Sequence, residues 1–326
     1  MKKTCLFALF IFVTVGIVSA DAAWIWSPDL GKWVNPRKSA KDSPEDQFGW
    51  ALSFYNQRNW DRAIEEFDKL PENFHSSHLA AEGVYYAGLS WEQKADLAKA
   101  ADAFQRLIDR YPYSDRIKDA VQHEFEIANQ FASGAKMKLL GIPVLSGQEK
   151  AIEVYKHIVR NAPFGTYGAE AQYQIGEVYK RQGEFEEAQK AYQGVVDDYS
   201  HSELVAKAKY QIAYCSMQAS KKAQYNEKYA ERAIEQFEGF KTSYPEDGQA
   251  VEADEAIKTL RTNKAMTYFQ TASFYEKNKK YASAKLYYQE IVSKYADTPM
   301  AEEARKRLDS VLQKETAPEK PKFRLW

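Results

Sequence analysis

One pattern constrains this chain more than any other. An alanine is followed four residues later by phenylalanine or tyrosine, and three further on by an aliphatic or aromatic residue. It recurs six times: Ala63/Phe67/Leu70, Ala100/Phe104/Leu107, Ala151/Tyr155/Ile158, Ala188/Tyr192/Val195, Ala233/Phe237/Phe240 and Ala284/Tyr288/Ile291. Positions i, i+4 and i+7 lie on one face of an α-helix, so each triplet predicts a helix with one buried stripe. The alanine lets a second helix approach closely and the ring fills the space beside it. A turn and an aromatic residue often precede the alanine, as in Asn59-Trp60, Gly183-Glu184-Phe185 and Lys280-Tyr281. Stops follow it: Tyr111-Pro112, Tyr244-Pro245 and, more weakly, Ala162-Pro163, where proline cannot continue a helix.

The arrangement resembles the tetratricopeptide repeat, a helix–turn–helix unit of about 34 residues. The expected first helices carry a small residue and then an aromatic: Ala87-Gly88 with Trp91, Ile175-Gly176 with Tyr179, Thr271-Ala272 with Tyr275. The unit Ala169–Ser202 keeps the whole register without a break. The fold expected is therefore all-α, with tetratricopeptide-like helix–turn–helix repeats stacked in a superhelical solenoid over residues 44–312. A generic helical bundle would need six coincidental alanines. Successive anchor alanines are 37, 51, 37, 45 and 51 residues apart. The long gaps hold an insertion, Lys136–Gly147 (KMKLLGIPVLSG), a lengthened hairpin around Ser220–Tyr229, and a helical segment, Ala250–Asn263, expected to run into the next helix. Pro299–Leu312 reads as a closing helix, and 313–326, rich in Pro, Lys and Glu, as a flexible tail.

Residues 1–22 read as a signal peptide. Met1-Lys2-Lys3 is basic, and the apolar run Leu6–Val18 is too short for a membrane span of about 20 residues. Small residues at Ser19-Ala20-Asp21-Ala22 suit cleavage after Ala20 or Ala22; a retained N-terminal anchor is the other reading. Cys5 follows Lys2-Lys3-Thr4 and does not suit lipid attachment, and Cys215 lies in an apolar run that suits a buried thiol. Residues 23–43 hold Trp24, Trp26 and Trp33, which either cap the first repeat or dock to a partner or membrane interface.

Composition excludes several functions. The formal net charge is −1, which argues against nucleic-acid binding. His75 and His78 have no carboxylate pair or cysteine nearby. His123-Glu124 begins like a zinc-protease helix, but position 127 is Ile. Nucleotide-binding glycine motifs and a nucleophile elbow are missing from the sequence. Acidic pairs such as Glu65-Glu66, Glu186-Glu187 and Glu302-Glu303 are expected on outward faces. No catalytic residue, metal site or cofactor is expected.

The expected binding surface is the concave wall made by first helices. The register places there Phe48, Leu52 and Tyr55, then Tyr85, Leu89 and Glu92, then Tyr173, Glu177 and Lys180, as a groove for an extended peptide. Each tyrosine could equally be inter-repeat packing. The stretch Gln47–Asp68, the Leu139–Pro143 insertion and the run Phe274–Pro299 resemble the BamD-like family of outer-membrane assembly lipoproteins, here without the lipid-attachment cysteine. That resemblance implies a non-enzymatic envelope scaffold whose partners are a barrel assembly protein and unfolded barrel precursors. It implies export to the periplasm or the periplasmic face of the outer membrane, with only indirect membrane association. The alternative is a soluble periplasmic Tol–Pal-associated coordinator resembling CpoB. A solute-handling or enzymatic periplasmic protein is a third class. The apolar insertion either covers a repeat edge or meets another subunit, and Lys322–Trp326 weakly resembles an outer-membrane barrel signal.

Overall fold

The computed structural model describes residues 25–27, 31–34, 39–139, 142–222 and 227–316. The signal segment, Trp24 and the basic-aromatic tail lie outside them. Two compact units divide the chain, 1–90 and 91–326, and each is taken by itself. Thirteen helices follow one another among the described residues: α1 (Pro44–Asn56), α2 (Trp60–Asn73), α3 (His78–Gln93), α4 (Leu97–Arg110), α5 (Ile117–Ala132), α6 (Gln148–Asn161), α7 (Gly168–Gln182), α8 (Phe185–Asp198), α9 (Leu204–Lys222), α10 (Glu227–Ser243), α11 (Gln249–Lys277), α12 (Tyr281–Lys294) and α13 (Met300–Thr316). In the second unit each helix from α4 to α13 packs on the next, and α7 also meets α9 as α11 meets α13. This is the all-α tetratricopeptide-like solenoid.

All three positions of all six triplets are buried, none more than 1% exposed. The same stripe also ends each second helix. The carbonyls of Leu70, Leu107, Ile158, Val195, Phe240 and Ile291 accept from the N–H groups of Phe74, Tyr111, Ala162, Tyr199, Tyr244 and Tyr295. Tyr199 and Tyr295 are followed by Ser and Ala rather than proline, yet they close their helices with the same bond. Proline therefore reinforces this stop without creating it.

The tight turns between paired helices share a second device. Asn59, Asp96, Glu184 and Lys280 each donate their N–H to a carbonyl five residues back, on Phe54, Trp91, Tyr179 and Tyr275. This closing bond needs a left-handed residue just before the donor. Gly183 fills that position at φ 75°, but Arg58, Ala95 and Lys279 hold it at φ 58°, 52° and 60°.

Two short hairpins interrupt the all-helical pattern. Ile25–Ser27 (β1) pairs antiparallel with Lys32–Val34 (β2), and Lys136–Leu139 (β3) pairs with Ile142–Ser146 (β4) inside the insertion. Neither has the length that makes strand alternation legible in sequence. The segment 250–263 does run into the next helix, giving the 29-residue α11. The tail is corrected at its start. Residues 313–316 continue α13, with Lys314 2.9 Å from Glu276 and Glu315 3.1 Å from Lys285.

These features give two opposed expectations. A Cβ at Gly176 would lie 2.5–2.8 Å from atoms of the Tyr192 ring, which is fully buried and has nowhere to swing. Gly176→Ala should therefore cost about 1–3 kcal/mol. Lys279→Gly should gain roughly 0.5 kcal/mol, the left-handed strain it relieves exceeding the entropy glycine adds. Urea unfolding measures both; a neutral Gly176→Ala would mean that the close helix crossing is absent.

Candidate protein-binding surfaces

The nine expected groove residues occupy three recurring positions relative to the small residue of each first helix (Ala51, Gly88, Gly176). They lie three before it, one after it and four after it. Each position has its own physical role.

The position three before is an aromatic ring packed on the buried ring of its own unit. Phe48 lies 5.8 Å from Phe67 and Tyr173 lies 5.2 Å from Tyr192. The equivalents Phe125, Tyr210 and Phe269 meet Tyr155, Phe237 and Tyr288 at 5.9, 5.6 and 5.5 Å. Tyr85 is only 8% exposed and touches Tyr86. Phe48 and Tyr173 keep a half-exposed edge.

The position one after matches the chemistry of that buried ring. Where the ring is tyrosine, a polar side chain receives its hydroxyl: Tyr155 donates to Asn129 at 2.6 Å, and Tyr192 to Glu177 at 2.6 Å, while Tyr288 and Ser273 share a bond at 3.2 Å. Where it is phenylalanine (67, 237), the position is Leu52 or Tyr214. A buried hydroxyl needs a partner and a phenyl ring needs none.

At the position four after, Tyr55, Glu92 and Lys180 are half-buried, whereas the equivalents Ala132 and Met217 are buried. Tyr55 is half-exposed, with its ring 5.2 Å from Trp60 and 5.4 Å from Tyr86. Tyr86, about 100° round α3 from Tyr85, also meets Phe48 and Phe67. It is the hub of the first unit's aromatic cluster, and sequence reading passed over it for its neighbour. Glu92 lies 3.0 Å from His123, whose ring stacks on Phe104 at 5.0 Å. The hydrogen bond to Glu92 raises the His123 pKa. Lys180 bridges Glu177 at 2.7 Å and Gln211 at 3.0 Å. Burial alone would raise Glu177, but hydrogen bonds from Lys180, Tyr192 and Tyr173 outweigh it and hold the carboxyl below its usual range. Cys215 beside this cluster is fully buried, and burial pushes its thiol up to about 12.

Two acidic groups differ from expectation. Glu66 is not on an outward face: it is 2% exposed and held by Lys69 at 2.8 Å, Arg62 at 2.9 Å and Gln47 at 3.1 Å. It falls between Ala63 and Phe67 on the inner side of α2, and three polar partners make its burial tolerable. Glu124 is fully buried, and its carboxylate lies 3.1 Å from Nδ1 of His157, whose Nε2 faces Asp109 at 3.2 Å. The adjacent His123 and Glu124 therefore serve separate partners. Among the described residues no helix is long and apolar enough to cross a membrane.

Repeated helix pairs, ring-filled crossings and a half-open row of polar side chains define a tetratricopeptide-repeat protein of the protein-binding class. A tetratricopeptide model matches residues 48–115, and the YfiO model, described as outer membrane lipoprotein, matches residues 146–320. The second match spans more than half the chain, which belongs to that family. No curated protein matches it. Solved structures give loose likenesses. One is MamA from Desulfovibrio magneticus RS-1, at 15% identity over 64% of this chain and all of that one, with TM-score 0.30. A second is YrrB, titled a tetratricopeptide protein with an unusual peptide-binding site, at 16% over 65% and 92% with 0.33. A third is a repeat protein from Parabacteroides merdae ATCC 43184, at 14% over 85% and 100% with 0.33. At such scores none of the three bears on function.

The His157–Glu124 pair predicts a pH dependence. Burial would lower His157, but its bonds to Glu124 and Asp109 leave its pKa raised, and burial raises Glu124. Both shifts make the folded chain bind more protons than the unfolded one, so stability falls as pH rises. The histidine contribution is complete below about 6.5, the unfolded value, and is lost as pH passes the raised folded value. The double variant His157→Gln/Glu124→Gln should flatten the decline in urea midpoint above about pH 6.5. An unchanged slope would mean this pair is not the source.

Proposed function

We propose that this chain is a non-enzymatic scaffold of the cell envelope that binds proteins or extended peptides, serving outer-membrane β-barrel protein assembly as BamD-like proteins do. The observation that carries the reading is the outer membrane lipoprotein match over residues 146–320, which covers the helices from α6 to α13. The periplasm, or the periplasmic face of the outer membrane, is the corresponding location. Its partners would be a barrel assembly protein and unfolded barrel precursors, with neither cofactor nor metal. Within each unit the contacts would fall on the groove positions. Leu52, Tyr55 and Leu89 would offer apolar edges in the first, and Glu92, Tyr173 and Lys180 a mixed face in the second. Phe48, Tyr85 and Glu177 would shape those faces through the rings they support.

Affinity purification from detergent-solubilised envelopes tests the assignment. Co-purification with a barrel assembly protein supports it, and recovery with Tol–Pal components alone would falsify it and favour the coordinator reading. A purified-component assay tests the face. Lys180→Gln should weaken a peptide with the alternating apolar pattern of a barrel strand by about fivefold, the scale of one partly exposed ionic contact. Tyr192→Phe, which leaves Glu177 without one internal donor, should change folding stability more than affinity.

A further inference from the structure

The 29-residue α11 of the second unit keeps one face exposed along its length. From Ala265 to Tyr275 it holds no charged residue, in a chain that is 28% charged. Met266 and Phe274 lie about two turns apart on that face and are 44% and 63% exposed. The polar side chains around them turn their groups onto the helix itself. Thr267 Oγ1 donates to the carbonyl of Asn263 at 3.0 Å and Thr271 Oγ1 to that of Thr267 at 2.9 Å. Asn278 Nδ2 donates to the carbonyl of Phe274 at 2.8 Å. A charge-free face with an exposed thioether and ring, its hydroxyls satisfied internally, has the makeup of an interface core.

The ends of the face select the occupant. Glu252, Glu255, Thr259 and Asn263 are followed by Met266, Gln270, Phe274 and Lys277, at steps of 3, 4, 4, 3, 4, 4 and 3 residues. Those steps keep to one helical stripe, and all eight side chains are exposed except the half-buried Asn263. The spacing reads the same in both directions about a point between Asn263 and Met266. An identical helix laid antiparallel about that point sets Glu252 opposite Lys277, and two-fold symmetry makes the pair twice. It sets Thr259 opposite Gln270 and Asn263 opposite Met266, so the uncharged middle meets itself. Glu255 falls opposite Phe274, one turn from the same lysine. A parallel pair would instead set Glu252 on Glu252 and Lys277 on Lys277. The Glu252 carboxylate also accepts the Tyr210 hydroxyl at 3.0 Å, which restrains it.

A cavity of about 40 Å³ lies beside the middle of the stripe, lined by Asn263, Lys264, Thr267 and Tyr268 among others. Met266 of a second copy, opposite Asn263, would reach it with a flexible thioether suited to irregular gaps and to a neighbouring ring.

We propose that this face of α11 is a homodimer interface, on which a second copy of the chain packs antiparallel. The reading does not depend on the scaffold role.

Sedimentation velocity of the purified chain across a concentration series tests it. The parent should pass from monomer to dimer as concentration rises. Met266→Ser/Phe274→Ser should raise the dissociation constant by about a hundredfold, from the apolar side chains of both copies returned to water. Lys277→Glu should raise it by about tenfold, because both ion pairs become repulsions. Glu252→Lys/Lys277→Glu should return it to within about threefold of the parent, since the reversed charges meet again. The substituted side chains are all exposed, so the helical signal should not move. A parent that stays monomeric would overturn the proposal. So would stripe variants that dimerise like the parent, or a charge-reversed double variant no tighter than Lys277→Glu. A monomeric parent that loses a barrel assembly protein on Met266→Ser/Phe274→Ser would also overturn it and make the face a docking site for that protein.

Discussion

The fold depends on one contact: the ring of a second helix seated against the small residue of the first. Where no connection is inserted the two lie 16 residues apart, as in Ala51 and Phe67, Gly176 and Tyr192, and Ala272 and Tyr288. That span is one helix end, one tight turn and one helix start. The left-handed residue at 58, 183 or 279 keeps the turn short enough for the ring to land on the small residue. The ring, the glycine or alanine and the strained turn are therefore one device, and loosening any part moves the others.

From that contact the neighbouring positions acquire their identities. The aromatic three before the small residue covers the seated ring. Where that ring bears a hydroxyl, the residue after the small one is polar. This pairing runs through Asn129, Glu177 and Ser273, while Leu52 packs on the cluster that holds Phe67. A stack of repeats thereby tolerates both ring types without leaving a buried polar atom unpaired. The position four after varies most: it is half-buried at Tyr55, Glu92 and Lys180 and buried at Ala132 and Met217.

The helices and triplets were legible in the sequence because an i, i+4, i+7 stripe is a local pattern repeated six times. The roles of the groove residues were only half legible. Helical phase put Phe48, Glu177 and Lys180 on one face, but whether a side chain on that face is free depends on the ring opposite it. Glu66 shows the same limit. Its charge pointed outward by habit, and only the convergence of Gln47, Arg62 and Lys69 from two helices explains its burial. The hairpins at 25–34 and 136–146 were not legible, since three to five residues carry too few alternations to outweigh noise. The tryptophans were visible, but their exposure was not.

Aromatic content means different things in the two places where it accumulates. In the repeats the 22 tyrosines and 13 of the 17 phenylalanines are largely a substitute for a single large core: each repeat builds a small one from rings around a crossing. Rings suit this because two flat groups fill a crossing while losing little rotamer freedom. Tryptophan is too large for that seat, and none of the six triplets uses it. Trp26, Trp33 and Trp50 lie off the triplets and are 49%, 60% and 41% exposed, with Trp50 still packed on Phe54. An aromatic residue in this architecture is therefore to be read by its register. On the triplet it holds the fold together, and off it, as at Trp33, it can stand exposed.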